Sequence, residues 1–149
     1  MKEAFKELFT RDLKRLKKEI ESYNDETVLW KIDRSIKNSG GNLCLHVLGN
    51  IKTYVGNGLG KIGYVRQRDL EFSAKGVARE KMCSEIEETL LMVNQAIDQL
   101  EEEQFKAIYP IVIWQEEKET GYTLLRVHAH LNYHLGQINY HRRMLDTQA

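Results

Sequence analysis

The stretch 121–146 constrains the fold most, because its apolar residues recur at steps of three, four and seven positions. Those residues are Leu124, Val127, Leu131, Ile138 and Leu145. Such spacing keeps one stripe of an α-helix turned towards a common packing partner. The stretch therefore predicts a long amphipathic helix that packs against other helices.

Four of the five histidines lie in this predicted helix, at His128, His130, His134 and His141. Residues four positions apart stack above one another on a helix, so His130 and His134 can direct two imidazoles at one spot. His128 lies about 200° around the helix from His130 and is expected to point away. His141 falls on the apolar stripe, about 10 Å from His134 by helix rise, and a hydrogen bond near the end of the bundle is expected for it.

A pair of imidazoles on one helix is a geometry that suits a metal ion, because neutral ring nitrogens bind divalent transition ions well. The remaining histidine, His46, lies more than eighty residues upstream in a second apolar stretch, NLCLHVLGN. If His46 faces the same core, the chain offers three imidazoles and leaves coordination positions open for water or substrate. The alternative is that all three are hydrogen-bonded core histidines without a metal.

The composition limits the class of protein. The length of 149 residues suits one domain, residues 1–149. The 22 Lys and Arg residues balance the 22 Asp and Glu residues, so no net electrostatic attraction to nucleic acid or to an acidic membrane is expected. No apolar run of about eighteen residues predicts a membrane span, and the first twenty residues do not resemble a signal peptide. Cys44 and Cys83 lack a CxxC spacing, which predicts reduced, buried thiols and a cytoplasmic protein.

Four amphipathic helices are predicted, over residues 2–23, 42–55, 81–103 and 121–146. The apolar spacing of the third helix, at steps of four and three, is typical of helices that pack at shallow angles in a bundle. The resulting prediction is an all-α fold, a four-helix bundle with a long connection between helices 2 and 3. The apolar segment 111–114 is interpreted as an extended connector that covers one end of the bundle.

Two polar features lie close to the predicted histidine site in the sequence. Asn50 follows His46 by one helical turn and is expected either to hold a water or an imidazole nitrogen around the site, or to serve only in helix packing. Charged residues crowd together in the stretch 66–71, where they either pair among themselves or line the mouth of a site. They are Arg66, Arg68, Asp69 and Glu71.

Two blocks of the chain, SGGNLCLHVLGNIKTYV and HLNYHLGQINYHRRM, resemble the paired signatures of the DinB-like superfamily of four-helix bundles. The resemblance implies that His46 on the second helix and the pair His130 and His134, just ahead of the dipeptide Gly136–Gln137, bind one divalent transition-metal ion. It leaves the metal open among Zn, Ni, Fe, Co and Mn. The resemblance also implies a homodimer. It does not identify a residue that would act as a general base.

Some members of the superfamily are S-transferases that join a low-molecular-weight thiol, such as bacillithiol or mycothiol, to an electrophile. The leading hypothesis is therefore a metal-dependent enzyme of the thiol-transferase type, with a small-molecule thiol or electrophile as partner. The alternative is a metal-binding protein without catalytic activity, acting in a stress response or as an interaction module.

Overall fold

A computed structural model describes residues 1–147, and every regular element in that range is helical. The α-helices are α1 (Lys2–Glu21), α2 (Gly40–Ile51), α3 (Arg68–Ser73), α4 (Arg79–Asp98) and α5 (Thr120–Leu145). A π-helix, Lys52–Asn57, continues from α2, and short 3-10 helices cover Glu26–Trp30 and Glu102–Phe105. The all-α prediction is confirmed, with five α-helices where four were expected. The last two residues of the predicted domain 1–149 lie outside the described residues.

Two of the predicted helix boundaries differ from the observed ones for identifiable reasons. The second helix changes to π geometry after Ile51, where the hydroxyl of Thr53 donates to the carbonyl of Gly49 at 2.7 Å. A hydroxyl bonded to the carbonyl four residues back disturbs the regular ladder of a helix. The helix predicted over 81–103 ends at Asp98, because the backbone N–H of Glu101 donates to the Gln104 side chain in a capping box that begins a new 3-10 helix.

The core lies between the four longer helices. Helix α1 packs against α4 and α5, and α2 packs against the same two helices. Buried side chains at the centre include Phe9, Leu13, Leu16, Val47, Val93, Leu131 and Ile138. No helix within residues 1–147 combines the length and the hydropathy that crossing a membrane requires.

Helix α3 is held against α2 by polar contacts that could not be predicted from its six residues. The amide of Asn42 on α2 donates to the backbone carbonyls of Glu71 and Ala74, at 3.0 and 2.8 Å. Further along α2, a Cβ placed on Gly49 would lie 2.7 Å from the Cδ of Glu71. The absence of a side chain at Gly49 therefore lets the Glu71 carboxylate approach the α2 backbone.

The segment 111–114 forms no strand, as the prediction of a connector requires. Its flanks are joined by an isolated antiparallel bridge between Ile108 and Glu119, so the chain loops out and returns just before α5 begins. The guanidinium of Arg126 on α5 lies 4.5 Å from the centre of a Trp114 ring, which fixes this connector beside the N-terminal part of α5.

Candidate metal centre

Three histidines from two helices converge on one point. The Nε2 atom of His130 lies 3.1 Å from Nε2 of His46 and 3.1 Å from Nε2 of His134. His46 comes from α2, and the other two occupy adjacent turns of α5. The structure therefore brings together all three residues that the sequence singled out as metal ligands, and their donor atoms lie within 4.8 Å of one another.

Two of the three separations between ring nitrogens fit a shared ion. Two nitrogens that each lie about 2.1 Å from one ion are roughly 3.0 to 3.4 Å apart at coordination angles of about 90° to 110°. The two observed separations of 3.1 Å fall inside this range. Three imidazoles also leave at least one coordination position for another ligand, which is the arrangement of catalytic rather than closed structural sites.

Glu71 orients the imidazole of His46. Its Oε1 lies 3.0 Å from His46 Nδ1, and Arg66 binds the same carboxylate through two bonds of 2.8 Å. A carboxylate oxygen accepts, so the 3.0 Å bond to Glu71 assigns the proton of the His46 ring to Nδ1, against the longer approach of Arg66 Nη2 to the same nitrogen at 3.4 Å. The Nε2 lone pair of His46 is then left free and faces the cluster.

His134 is oriented in the same way by a neighbour on its own helix. Its Nδ1 donates to Oε1 of Gln137 at 2.7 Å, so its Nε2 also presents a lone pair to the cluster. Lone pairs of two imidazoles therefore point at Nε2 of His130. Two lone pairs that point at one nitrogen repel each other unless a cation or a proton lies between the nitrogens. Metal-binding histidines usually have this hydrogen bond from the other ring nitrogen to an oxygen.

The pKa values of all three imidazoles are lowered, mainly by burial. For His130, burial and the neighbouring His134 and His46 lower the pKa to about 4. Burial also lowers the pKa of His46, against the opposing effect of its bond to Glu71, and that of His134, against its bond to Gln137. The three rings are therefore neutral near pH 7, the state in which imidazole binds a metal ion.

Two cavities lie on either side of Tyr133, next to the cluster. One, of about 510 Å³, is bordered by His134 and Gln137 and has apolar walls formed by Leu43, Tyr140 and Met144. The other, of about 370 Å³, is bordered by His130. Further residues around this second cavity include Asn50, Tyr54, Trp114 and Arg126. A small molecule can therefore reach the surroundings of the histidines.

The two remaining histidines are engaged elsewhere. His128 points away from the cluster, as predicted, and its Nε2 lies 2.8 Å from the carboxylate of Asp12. His141 is buried, accepts from the Tyr23 hydroxyl at Nδ1 and donates from Nε2 to the Lys31 carbonyl, both at 2.8 Å. The hydrogen-bonded role expected for His141 is confirmed, and both of its nitrogens are occupied.

Two contributors to the site were not identified from the sequence. Glu71 is one of several charged residues in 66–71, and the structure shows the first expected outcome, since Glu71 pairs with Arg66. Glu71 contacts His46 from a buried position and does not line the mouth of either cavity. No spacing rule links positions 46 and 71. Gln137 carries a signal that sequence reasoning can use, because it lies three residues after His134 on one helix face.

Comparisons with known proteins identify a family and a fold. A family model described as "Protein of unknown function (DUF1572)" matches residues 2–149. No curated protein matches the sequence. A crystal structure of a conserved protein from Enterococcus faecalis is similar to this one with a TM-score of 0.75 and 12% sequence identity, covering 97% of this chain and 96% of that one. At this identity the similarity shows the fold alone.

Proposed function

Because the chain belongs to the DUF1572 family, whose function is unknown, we propose its function from the site: it holds one divalent transition-metal ion through Nε2 of His46, His130 and His134. The observation that carries this proposal is the convergence of three neutral imidazoles, two of them with Nδ1 bonded to an oxygen. Zn, Ni, Fe, Co and Mn are the candidate ions, because imidazole is a suitable ligand for several of them. Which ion occupies the site in the cell depends on the supply of each metal as well as on its affinity.

The same proposal places the chain in the DinB-like superfamily. The four longer helices are interpreted as the bundle of that superfamily, and the segment containing α3 as its long connection between helices 2 and 3. This interpretation is supported by the mutual packing of α1, α2, α4 and α5 and by the position of the three histidines on α2 and α5. Homodimer formation and a cytoplasmic location stay predictions.

The proposed activity is transfer of a low-molecular-weight thiol, of the bacillithiol or mycothiol type, to an electrophile. A bound transition metal would lower the pKa of a thiol or water at the open position and supply a nucleophile near neutral pH. The thiol proton passes to solvent, the sulfur bonds to the electrophilic carbon, and the leaving group departs with its electron pair. The cavity beside His134 would take the reactants between its apolar walls.

Two features of the chain support an external thiol as the nucleophile. Cys44 and Cys83, free and buried as predicted, have pKa values raised by burial, which disfavours the reactive thiolate. Neither cysteine borders the cavities next to the histidines. The protein would therefore bind and orient a thiol rather than provide one.

A non-catalytic metal-binding protein is the second candidate, and one observation favours it. The carboxylate in contact with the cluster, Glu71, is already bonded to Arg66 and His46, so it is not free to act as a general base. A stress-response or interaction protein that only binds the metal needs no such base.

Metal analysis of protein purified without a histidine tag tests the metal site. We expect one transition-metal ion per chain in the wild type and none in His134→Ala. His141→Asn is the matched control, because it removes a histidine of the same helix whose nitrogens are bonded elsewhere, and it should keep the metal. Unchanged stoichiometry in His134→Ala would refute the proposed ligand set.

Activity is tested separately, with a panel of low-molecular-weight thiols and a chromogenic chloronitrobenzene electrophile. The metal-loaded wild type should accelerate product formation above the rate without protein, and His46→Ala should not. Equal rates for the two proteins, with metal bound to the wild type, would favour the non-catalytic candidate.

A further inference from the structure

One imidazole of the cluster lacks the partner that the other two have. His46 and His134 each bond through Nδ1 to a side-chain oxygen, of Glu71 and of Gln137. The Nδ1 atom of His130 is closed off from solvent and has no hydrogen-bond partner within residues 1–147. A buried polar atom of this kind normally finds a partner, so its isolation marks an incomplete part of the site.

A complementary atom is isolated nearby. Oδ1 of Asn50 is also closed off from solvent and also lacks a hydrogen-bond partner in the described part of the chain. Asn50 lies on α2, one turn after His46, and borders the same cavity as His130. Its oxygen can only accept a hydrogen bond, and a neutral His130 that uses Nε2 as a ligand atom carries its proton on Nδ1 and can only donate.

We propose that Asn50 is the positioning residue of the third ligand, its Oδ1 accepting the Nδ1–H of His130 directly or through one buried water molecule when the metal is bound. This inference rests on the proposed metal site and completes it, because each imidazole then has an oxygen partner that fixes its tautomer. The partners would come from three different places: Glu71 from α3, Gln137 from α5 and Asn50 from α2.

The remaining unpartnered buried side-chain atom in residues 1–147 provides a matched control. Oδ1 of Asn94 on α4 is buried without a partner, and the amide of Asn94 donates to the hydroxyl of Thr10 at 3.4 Å. Neither Asn94 nor Thr10 borders the cavities beside the histidines. Asn94→Ala therefore repeats the chemical change of Asn50→Ala at a site that does not contact a proposed ligand.

The first test is a competition titration of the metal-free proteins with Zn²⁺ against a chromophoric chelator. Loss of a partner that orients a metal-binding histidine typically weakens metal affinity about 10- to 100-fold, which is the change expected for Asn50→Ala. Asn94→Ala should bind Zn²⁺ like the wild type, and Asn50→Asp, which keeps an oxygen acceptor, should restore the affinity that Asn50→Ala loses. Equal affinities for Asn50→Ala and Asn94→Ala would overturn the inference.

The second test observes the hydrogen bond itself, in ¹⁵N-histidine NMR spectra of the zinc-loaded protein. The wild type and Asn50→Asp should show an Nδ1-bound proton on His130 that exchanges slowly with water, and in Asn50→Ala this proton should exchange rapidly. The same slow exchange in Asn50→Ala would overturn the inference even if that variant were less stable. A wild type that binds neither zinc nor any of the other candidate ions would refute the proposed metal site as well, whereas zinc affinity that does not change in Asn50→Ala would refute only this inference.

Discussion

Glu71 Oε1 lies 3.0 Å from His46 Nδ1, although 25 positions separate the two residues in the sequence. The carboxylate is 6% exposed and is bonded on its other side to Arg66. The bond to His46 fixes which nitrogen of this ring faces the cluster, and the bond to Arg66 offsets the cost of burying the charge.

Removing this carboxylate should weaken metal binding and the fold together. In Glu71→Ala we expect Zn²⁺ affinity to fall by about 10- to 100-fold, because His46 loses the partner that orients it. We also expect the free energy of unfolding to fall by about 3 kcal/mol, because Arg66 is left half-buried without a counter-charge. Competition titration and urea unfolding measure the two effects.

The exposed pair of Lys118 with Glu116 supplies the control, through Glu116→Ala. Both of its partners reach solvent, so this variant should change neither quantity by more than about 0.5 kcal/mol. If Glu71→Ala bound Zn²⁺ as tightly as Glu116→Ala, Glu71 would have no part in orienting His46.

A methyl group on Gly49 should have a related effect at a distance from the histidines. In Gly49→Ala the new Cβ would collide with the Glu71 side chain, whose Cδ is 2.7 Å from the Cβ position. We expect Glu71 to move away from His46, and Zn²⁺ affinity to fall by about 10-fold or more. Gly136→Ala is the control, since a Cβ there meets nothing within 4 Å.

Gly136→Ala should stabilise the protein by about 0.5 to 1 kcal/mol, because alanine is the better residue inside a helix. It should leave Zn²⁺ affinity unchanged, although residue 136 lies between His134 and Gln137 in the sequence. Equal Zn²⁺ affinities in the two glycine variants would refute the steric argument.

The sequence predicts the long helices well, and the three histidines that it singled out do lie together, but it does not predict what surrounds them. Apolar spacing identified α1, α4 and α5, because each buries one face over twenty or more residues. Helix α3 has six residues and an exposed Leu70, so it carries no comparable pattern. Its position depends on Asn42, a polar contact made across the fold, and such contacts leave no periodic trace along the chain.

The pH dependence of the metal-free protein follows from the lowered pKa of His130. Between about 4 and 6.5 the unfolded chain binds a proton at this residue that the folded chain does not. The free energy of unfolding therefore falls as the pH is lowered through that window, and it is regained as the pH rises. The pKa values of His46, His134 and His141 are lowered too, so their contributions have the same sign.

Urea unfolding in the presence of a chelator, at pH values of about 7 and about 5, measures this dependence. The wild type should be less stable at the lower pH, and His130→Asn should lose less stability between the two values. A wild type as stable at the lower pH as at the higher one would show that these imidazoles take up protons freely in the folded protein.

Asp12 should matter for stability and not for the metal. It is fully buried between α1 and α5, where it accepts hydrogen bonds from Arg11, His128 and Asn132. Burial alone would raise its pKa, but these bonds lower it well below the ordinary value. Asp12→Asn should cost about 1 to 3 kcal/mol in urea unfolding, since one of the two buried carboxylate oxygens that accept these bonds is replaced by an amide NH₂ group.

Asp33→Asn is the matched change at an exposed aspartate, which lies 3.7 Å from Arg34. It should alter stability by less than about 0.5 kcal/mol. Both aspartate variants should keep the metal content of the wild type, and loss of metal in Asp12→Asn would show that this network supports the histidine cluster.

The histidine cluster joins parts of the chain that are remote from one another, with 84 positions between His46 and His130. An unfolded chain does not hold these rings together, so an ion at this site would bind the folded state and not the unfolded state. Once free metal exceeds the dissociation constant, each tenfold rise in its concentration adds about 1.4 kcal/mol to the resistance of the chain to unfolding. The metal concentration in the cell would then set the stability of the folded protein as well as the occupancy of the site.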